Sequence, residues 1–485
     1  MSLVAICASA QSIDQKIGNA MNNSDWFALD SIYNSVPKDS INNFLEIFSR
    51  CLIGNRLNRP DISIPAFQEL LNTQSASLDL GNLVSSAYMF GMDLSRVGKN
   101  DAAAAMTGAI LNAAKPYLDS MTVAGLTSTA NRYSALSEYN PYQIEFENKH
   151  TGIVPFTIVP VGPTNKNSVL MHLQDSYING IEADITFDTG AGSNIISPEM
   201  ADHFKLIPLD NTRITVKGVN RRDGYIAIAK ELRIGNIIVR DVPFTVISLS
   251  SDNEEADKYI DSFSIVVGSE LMLQLKDLTI DFSNRKITIP VVAPQRSSVP
   301  ANLCFSSTMN LLSIGSVLSN PMLMCLDSGN ASFGVLSKNF LDANKDYIIS
   351  NSELDTIREA GIGGTINSPC YKVMDMPVSL GGNTVFPPEL IVRTNDNSTI
   401  GDYYCIIGVK TLMMYETVHF NLVDFVLSTE SPQSNHHTTL GNNYKTHNFD
   451  LKKDYKPNLL QALGLTTVGI ARMLINPNAP ATPDL

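Results

Sequence analysis

No apolar run in the sequence reaches the ~18 residues that a membrane-spanning helix needs, so no span is expected. The six cysteines, Cys7, Cys51, Cys304, Cys325, Cys370 and Cys405, include no C-x-x-C pair. Zinc ribbons and thioredoxin-like motifs therefore find no support. Basic residues are in deficit as well: 35 Lys and Arg stand against 48 Asp and Glu, a formal net charge of −13, and no dense basic run occurs. Such a chain repels phosphate backbones, and nucleic acid is not an expected partner. The single tryptophan, Trp26, and the tyrosines read as packing residues. His436 and His437 lack Cys or carboxylate neighbours at ligand spacing and read as solvated rather than metal-binding. No metal and no cofactor are expected.

Across 485 residues, 44% are hydrophobic and 17% charged, a globular profile with room for two or three domains. Residues 1–10 end in Ala8-Ser9-Ala10, similar to a signal-peptidase site, without a basic n-region. They read as a clipped or atypical signal peptide, which implies a secreted, periplasmic or cell-envelope protein, or else as a small hydrophobic first turn. If Cys7 is removed, five cysteines remain and at least one must be free or bonded to another chain. Cys325 and Cys405 lie in apolar runs and read as buried thiols.

Residues 11–135 read as a helical domain. Ile41, Phe44, Leu45, Phe48 and Leu52 recur at helical spacing, with Ser40 as N-cap and Gly54 as the stop. Further helices are expected around Ala66–Leu71, Leu80–Leu94 and Ala102–Leu118. Helices in series suit either a tetratricopeptide-like array or an ordinary bundle, and no repeat consensus separates the two. From about residue 145 the texture becomes short β-rich runs broken by Gly, Pro, Asn and Asp. Pro290, Pro294 and Pro300 mark a linker between a first block, 145–293, and a second, 301–428. The tail, 429–485, is polar, with one apolar segment at Leu459–Ile475.

Two triplets carry chemistry: Asp188-Thr189-Gly190 and Asp327-Ser328-Gly329. One such triplet arises by accident in roughly one chain in five of this length. Their context is what repeats. Ile181–Phe187 alternates apolar and polar residues, as a half-buried strand ending on Asp188 would. Met322–Leu326 is continuously apolar, as a strand buried on both faces would be. Each triplet is followed by a second apolar run and a helix-capping serine, Ser197 or Ser337. Gly268 ends Ile265-Val266-Val267-Gly268, 268 − 188 = 80 residues after the first Asp, and Gly408 ends Cys405-Ile406-Ile407-Gly408, 408 − 327 = 81 after the second. Phe282 and Phe420 lie 282 − 188 = 94 and 420 − 327 = 93 residues downstream, and are read as equivalent. One unit is written twice.

Asp-Thr-Gly-Ala at 188–191, Val-Val-Gly-Ser-Glu-Leu at 266–271 and Ile-Asp-Phe at 280–282 resemble one retropepsin subunit. The second block adds Asp-Ser-Gly at 327–329, Ile-Ile-Gly at 406–408 and Gly361-Ile362-Gly363-Gly364, which is similar to a retroviral protease flap tip. The resemblance, over about residues 145–430, is to single-chain, two-lobed aspartic peptidases with retropepsin-like lobes, a form familiar among bacterial aspartyl-protease homologues. It implies a bilobal all-β pepsin/retropepsin-like fold behind the helical domain, and endopeptidase activity on a peptide or unfolded protein. Asp188 and Asp327 would be the catalytic pair. By the same resemblance Thr189 and Ser328 lock the lobes together, Gly190 and Gly329 admit backbone amides to the carboxylates, and Gly268 and Gly408 let a strand pass behind each catalytic loop. A first flap is expected at Arg213–Ala229, with Gly218, Asn220 and Gly224, and with Arg221 and Arg222 at its tip. A second is expected at Arg358–Tyr371.

Two acids close together cannot both ionise, so such a pair shares one proton. The ionised member can take a proton from a water, and the protonated one can donate to the scissile carbonyl. The rival reading is an inactive pepsin fold that binds peptides or acts as a scaffold, with the helices as a partner-binding surface. A third is homodimerisation of the first lobe alone, which the intact second triplet argues against.

Overall fold

The computed structural model describes residues 12–161, 168–217, 221–250, 257, 264–306, 310–361, 364–395 and 405–430. Residues 1–10, the tail from 431 with His436 and His437, and the flap residues Gly218, Asn220, Ile362 and Gly363 lie outside them. Among the described residues, no helix is long and apolar enough to cross a membrane.

The N-terminal region is helical: α1 (Ile13–Asn22), α2 (Trp26–Ser35), α3 (Asn43–Arg56), α4 (Pro60–Thr73), α5 (Leu80–Arg96), α6 (Asn100–Ala114) and α7 (Ser120–Leu136). Side chains of Ser12, Asp25, Asn42, Asp79 and Asp119 accept backbone N–H groups at the starts of α1, α2, α3, α5 and α7. These donors have no partner within the helix, so the sequence marks where each begins. Each helix packs on the next in chain order.

Helix α3 departs from its expected ends. Ser40 belongs to a short 3-10 turn, and its hydroxyl bonds Pro37 O at 2.5 Å. Asn42 caps the helix instead, accepting from Phe44 N at 3.0 Å. Gly54 lies inside the helix rather than ending it. A Cβ at Gly54 would stand 2.5 Å from Ser63 Cβ and 2.8 Å from Arg59 O, so the missing side chain is what lets α3 and α4 touch.

Extensive β-sheet follows. The first lobe runs from the strand Gln143–Phe146 to Lys286–Pro290, and the second opens with Leu303–Phe305. Residues 291–302 between them carry no helix or strand. The second-lobe strand Asn320–Asp327 is continuous, with Met322–Leu326 wholly buried, as its apolar run implies. The first-lobe counterpart is broken into Ile181–Glu182 and Ile185–Phe187. Ala183 N bonds Ser176 O at 2.9 Å, and exposed Asp184 turns onto His172 Nδ1 at 2.6 Å. The break spoils the simple alternation, and Thr186 is buried rather than exposed.

Both lobes then repeat one topology. The strand leading to each Asp pairs in parallel with Ile265–Val267 or Cys405–Gly408. That strand pairs antiparallel with Ile195–Ile196 or Gly334–Leu336, which pairs in parallel with Ile237–Ile247 or Leu390–Arg393. Short helices Pro198–His203 and Lys338–Ala343 follow, capped by Ser197 and Ser337.

The lobes also share a sheet. Asp277–Asp281 pairs antiparallel with Thr417–Asn421, Asp277 opposite Asn421 and Asp281 opposite Thr417. Residues 140 apart thus exchange places (417 − 277 = 421 − 281 = 140), the register of a local two-fold axis. On that register Phe420 corresponds to Ile280 and Phe282 to Leu422, so the Phe282–Phe420 equivalence is two residues out. One of the two residues comes from the loop after Asp327, which is longer by one, and the other from the counts themselves, 94 against 93. Val335 matches Ile195, but lies 335 − 327 = 8 residues on rather than 195 − 188 = 7.

The core is continuous from the helices through both lobes. Gly54→Val should therefore lower the unfolding midpoint, by roughly 2–4 kcal/mol through overpacking against Ser63. Urea unfolding followed by Trp26 fluorescence reads this directly. An unchanged midpoint would mean that α3 and α4 are not held in this contact.

Candidate active site

Asp188 and Asp327 come from different lobes and face each other at the local two-fold axis, each lying against the glycine of the other's triplet and close enough to shift the other's titration. Each stands at the end of a strand in a sheet interior, so the loop that follows must turn sharply beneath the other lobe. Glycine makes this approach feasible. A Cβ at Gly190 would lie 2.6 Å from Asp327 Cγ, and one at Gly329 would lie 2.5 Å from Asp188 Cγ. Each glycine therefore vacates the space occupied by the opposite carboxyl. Any side chain there would push the two acids apart.

The middle residues of the triplets cross between the lobes. Thr189 Oγ1 donates to Leu326 O at 2.8 Å and accepts from Ser328 N at 3.1 Å. Ser328 Oγ donates to Phe187 O at 2.7 Å and accepts from Thr189 N at 3.0 Å. Both residues are 0% exposed, so every one of these groups would be unsatisfied if its partner moved. Gly268 and Gly408 sit behind the loops. A Cβ on Gly268 would come within 2.6 Å of Ala191 O, and one on Gly408 would collide with Ser332 O.

Burial is the first cause that raises both carboxyls above the ordinary aspartate range. Asp188 is held back by three backbone donors on Oδ1: Gly190 N at 2.8 Å, Ala191 N at 3.1 Å and Gly329 N at 3.2 Å. Asp327 is pushed well up, by burial first and then by the charge of Asp188. The arrangement favours negative charge on Asp188 and the proton on Asp327, although the two titrate as one unit.

Residues 175–255 match the family model of gag-polyprotein putative aspartyl proteases. The first lobe is retropepsin-like. The match contains Asp188-Thr189-Gly190, and Asp327 lies outside it, in the lobe that repeats the topology. No curated protein matches the chain.

A β-hairpin follows each aspartate in its lobe. In the first, Ile214–Lys217 pairs with Arg221–Ile234, Lys217 opposite Arg221. Arg221 and Arg222, opposite Lys217 and Val216, are thus on the returning strand. Gly224 is within that strand, and a Cβ there would collide with Val246 O. In the second, Leu354–Gly361 pairs with Gly364–Val373, and Gly361 faces Gly364 across the turn.

Several residues at the site had no signal in the sequence. Asn310 Nδ2 donates to Gly190 O across the lobes. Asn194 Oδ1 accepts from Gly268 N at 3.1 Å, while its Nδ2 reaches Pro243 O and Tyr142 OH, each at 3.1 Å. Lone asparagines in polar loops look alike in a sequence, and only the fold brings these to the aspartates. Cys325 and Cys405 are buried thiols on adjoining strands behind the pair.

Ser328→Ala removes one cross-lobe donor and leaves Phe187 O and Thr189 N buried without it. It should cost about 1–3 kcal/mol of stability, seen as a lower thermal midpoint, whereas Ser328→Thr keeps the hydroxyl and should retain most of it. Equal midpoints for Ser328→Ala and the parent would remove the crossed hydroxyls from any locking role.

Proposed function

We propose that the chain is an aspartic endopeptidase whose Asp188 and Asp327 share one proton and activate a water for attack on a peptide bond. The family match supports a protease acting on peptide. The observation that carries the finer reading is the contact between the two carboxyls at the seam of two like lobes. Ionised Asp188 takes a proton from a water placed between the acids as that water attacks the scissile carbonyl carbon. Asp327 donates its proton to the carbonyl oxygen, giving a tetrahedral diol. Collapse of the diol breaks the C–N bond as Asp188 gives its proton to the amine nitrogen and Asp327 takes the proton of a diol hydroxyl, which restores the pair. The hairpins at 214–234 and 354–373 bracket the cleft as its flaps and hold an extended substrate by backbone hydrogen bonds.

A peptide library incubated with the protein from acidic to neutral pH tests this, beside Asp188→Ala and Asp327→Ala. Each variant should lose cleavage by roughly a hundredfold to ten-thousandfold, and a statine-type inhibitor should block the parent. Peptide retained but never cut would make the protein a binding module. Loss in Asp188→Ala alone would favour a dimer of first lobes.

The raised carboxyls also set a pH dependence. Activity needs one proton on the pair, so its acid limb reports loss of the first and its alkaline limb loss of the second. Burial displaces both limbs upward from the usual aspartate range. For stability the sign is the reverse of a salt-bridged acid. A carboxyl whose folded pKa is raised stabilises the fold fully below its unfolded value of about 3.9, and that contribution fades as pH rises through the folded value. Asp327→Asn removes the penalty while keeping the shape. Its thermal midpoint should exceed the parent's at pH 7, and the difference should shrink toward pH 3. A difference independent of pH would argue that Asp327 is not a raised acid.

A further inference from the structure

The helical region reaches the catalytic loop. Arg56, the last residue of α3, is 3% exposed, and its guanidinium lies 5.5 Å from the Trp26 ring centre. Its Nη1 donates to Ser306 O in the second lobe at 3.0 Å. Ser306 N in turn donates to Asn310 O, and Asn310 N to Ser306 Oγ, each at 3.0 Å. The amide of Asn310 so fixed donates across the lobes to Gly190 O. Gly190 C=O and Ala191 N–H belong to one peptide group, and that N–H donates to Asp188 Oδ1 at 3.1 Å.

A hydrogen bond to a carbonyl polarises its peptide unit and makes the N–H at the other end a better donor. Resting on the proposed activity, we propose that Arg56 is a positioning residue for the catalytic pair, acting through Ser306 and Asn310 on the Gly190–Ala191 peptide that holds Asp188. The helices are then part of the active-site scaffold as well as a neighbouring domain. Arg56 touches neither substrate nor carboxylate. Its effect is on where the negative charge of the pair settles.

The relay acts in series, and this makes it testable. In the full chain, Arg56→Ala and Asn310→Ala should each lower kcat roughly tenfold, the worth of one lost hydrogen bond, with KM nearly unchanged. The acid limb of the pH–kcat profile should move up by roughly half to one unit, because the ionised form of Asp188 loses support. The double variant should be no worse than the poorer single one, and Arg56→Lys should restore part of the loss. A general loosening of the fold would instead lower the thermal midpoint without moving the acid limb. A folded Arg56→Ala protein with the parent's kcat and acid limb, or additive effects in the double variant, overturns the proposal. Carboxyl-13C aspartate titration by NMR gives a readout without turnover. If the parent cleaves nothing, the proposed activity fails, and an upward shift of the pair in Arg56→Ala still decides for the relay while an unmoved titration decides against it.

Discussion

Two half-buried carboxylic acids held close together hold one negative charge between them far more readily than two. At a separation of a few ångströms in a partly buried site, a second charge would cost several kcal/mol. The features around Asp188 and Asp327 can be understood as ways of imposing that contact against its tendency to open. Gly190 and Gly329 make room for the opposing acids. Thr189 and Ser328 hold the two loops through hydroxyls that would be orphaned by separation. The shared sheet, Asp277–Asp281 against Thr417–Asn421, fixes the lobes at a distance from the acids, so rotation about the triplets alone cannot part them.

The two-fold relation is approximate where chemistry needs it to be. Perfect symmetry would give both carboxyls the same environment and leave the proton with no preferred side. Here three N–H groups converge on one oxygen of Asp188, and Asp327 bears the larger burden of burial and of its neighbour's charge. The inserted residue in the loop after Asp327 is one structural source of inequality. The amide of Asn310 on Gly190 O is another.

What could be read in the sequence follows from which features are local. A strand ending in Asp-Thr-Gly, a capping serine and an apolar run each leave a mark within ten residues, and two copies of the same marks announced the repeated lobe. The α3 ends misled because Ser40 and Asn42 are both competent caps, and a glycine can end a helix or admit a neighbour. Gly54 does the latter through Ser63, nine residues away and on another helix. The alternation of Ile181–Phe187 missed the break at Ala183 and Asp184, which depends on Ser176 and His172 in a partner strand. Arg221 and Arg222 read as a hairpin tip because of their charge, whereas the pairing register puts them on the returning strand, opposite Lys217 and Val216.

The helical region shows the same limit on a larger scale. Nothing near Arg56 in sequence hints at Ser306, 250 residues away, yet the guanidinium is buried at that carbonyl. Helix α7 also holds the first lobe: Leu136 packs with Leu209, Ile226 and Ile228, Asn131 donates to Asn211 O at 2.9 Å, and Arg132 pairs with Glu270, on the short helix Ser269–Leu275, at 2.9 Å. An appended domain that only recruited partners would need a single attachment surface. This one is fastened to the second lobe through α3, where Arg56 is buried at Ser306 O and would be costly to leave there unpaired, and to the first lobe through α7. A helical layer joined to both lobes resists their relative rotation. That is the motion by which the two acids would separate, so the helices oppose the electrostatic strain at the seam from the outside, as the crossed hydroxyls do from within.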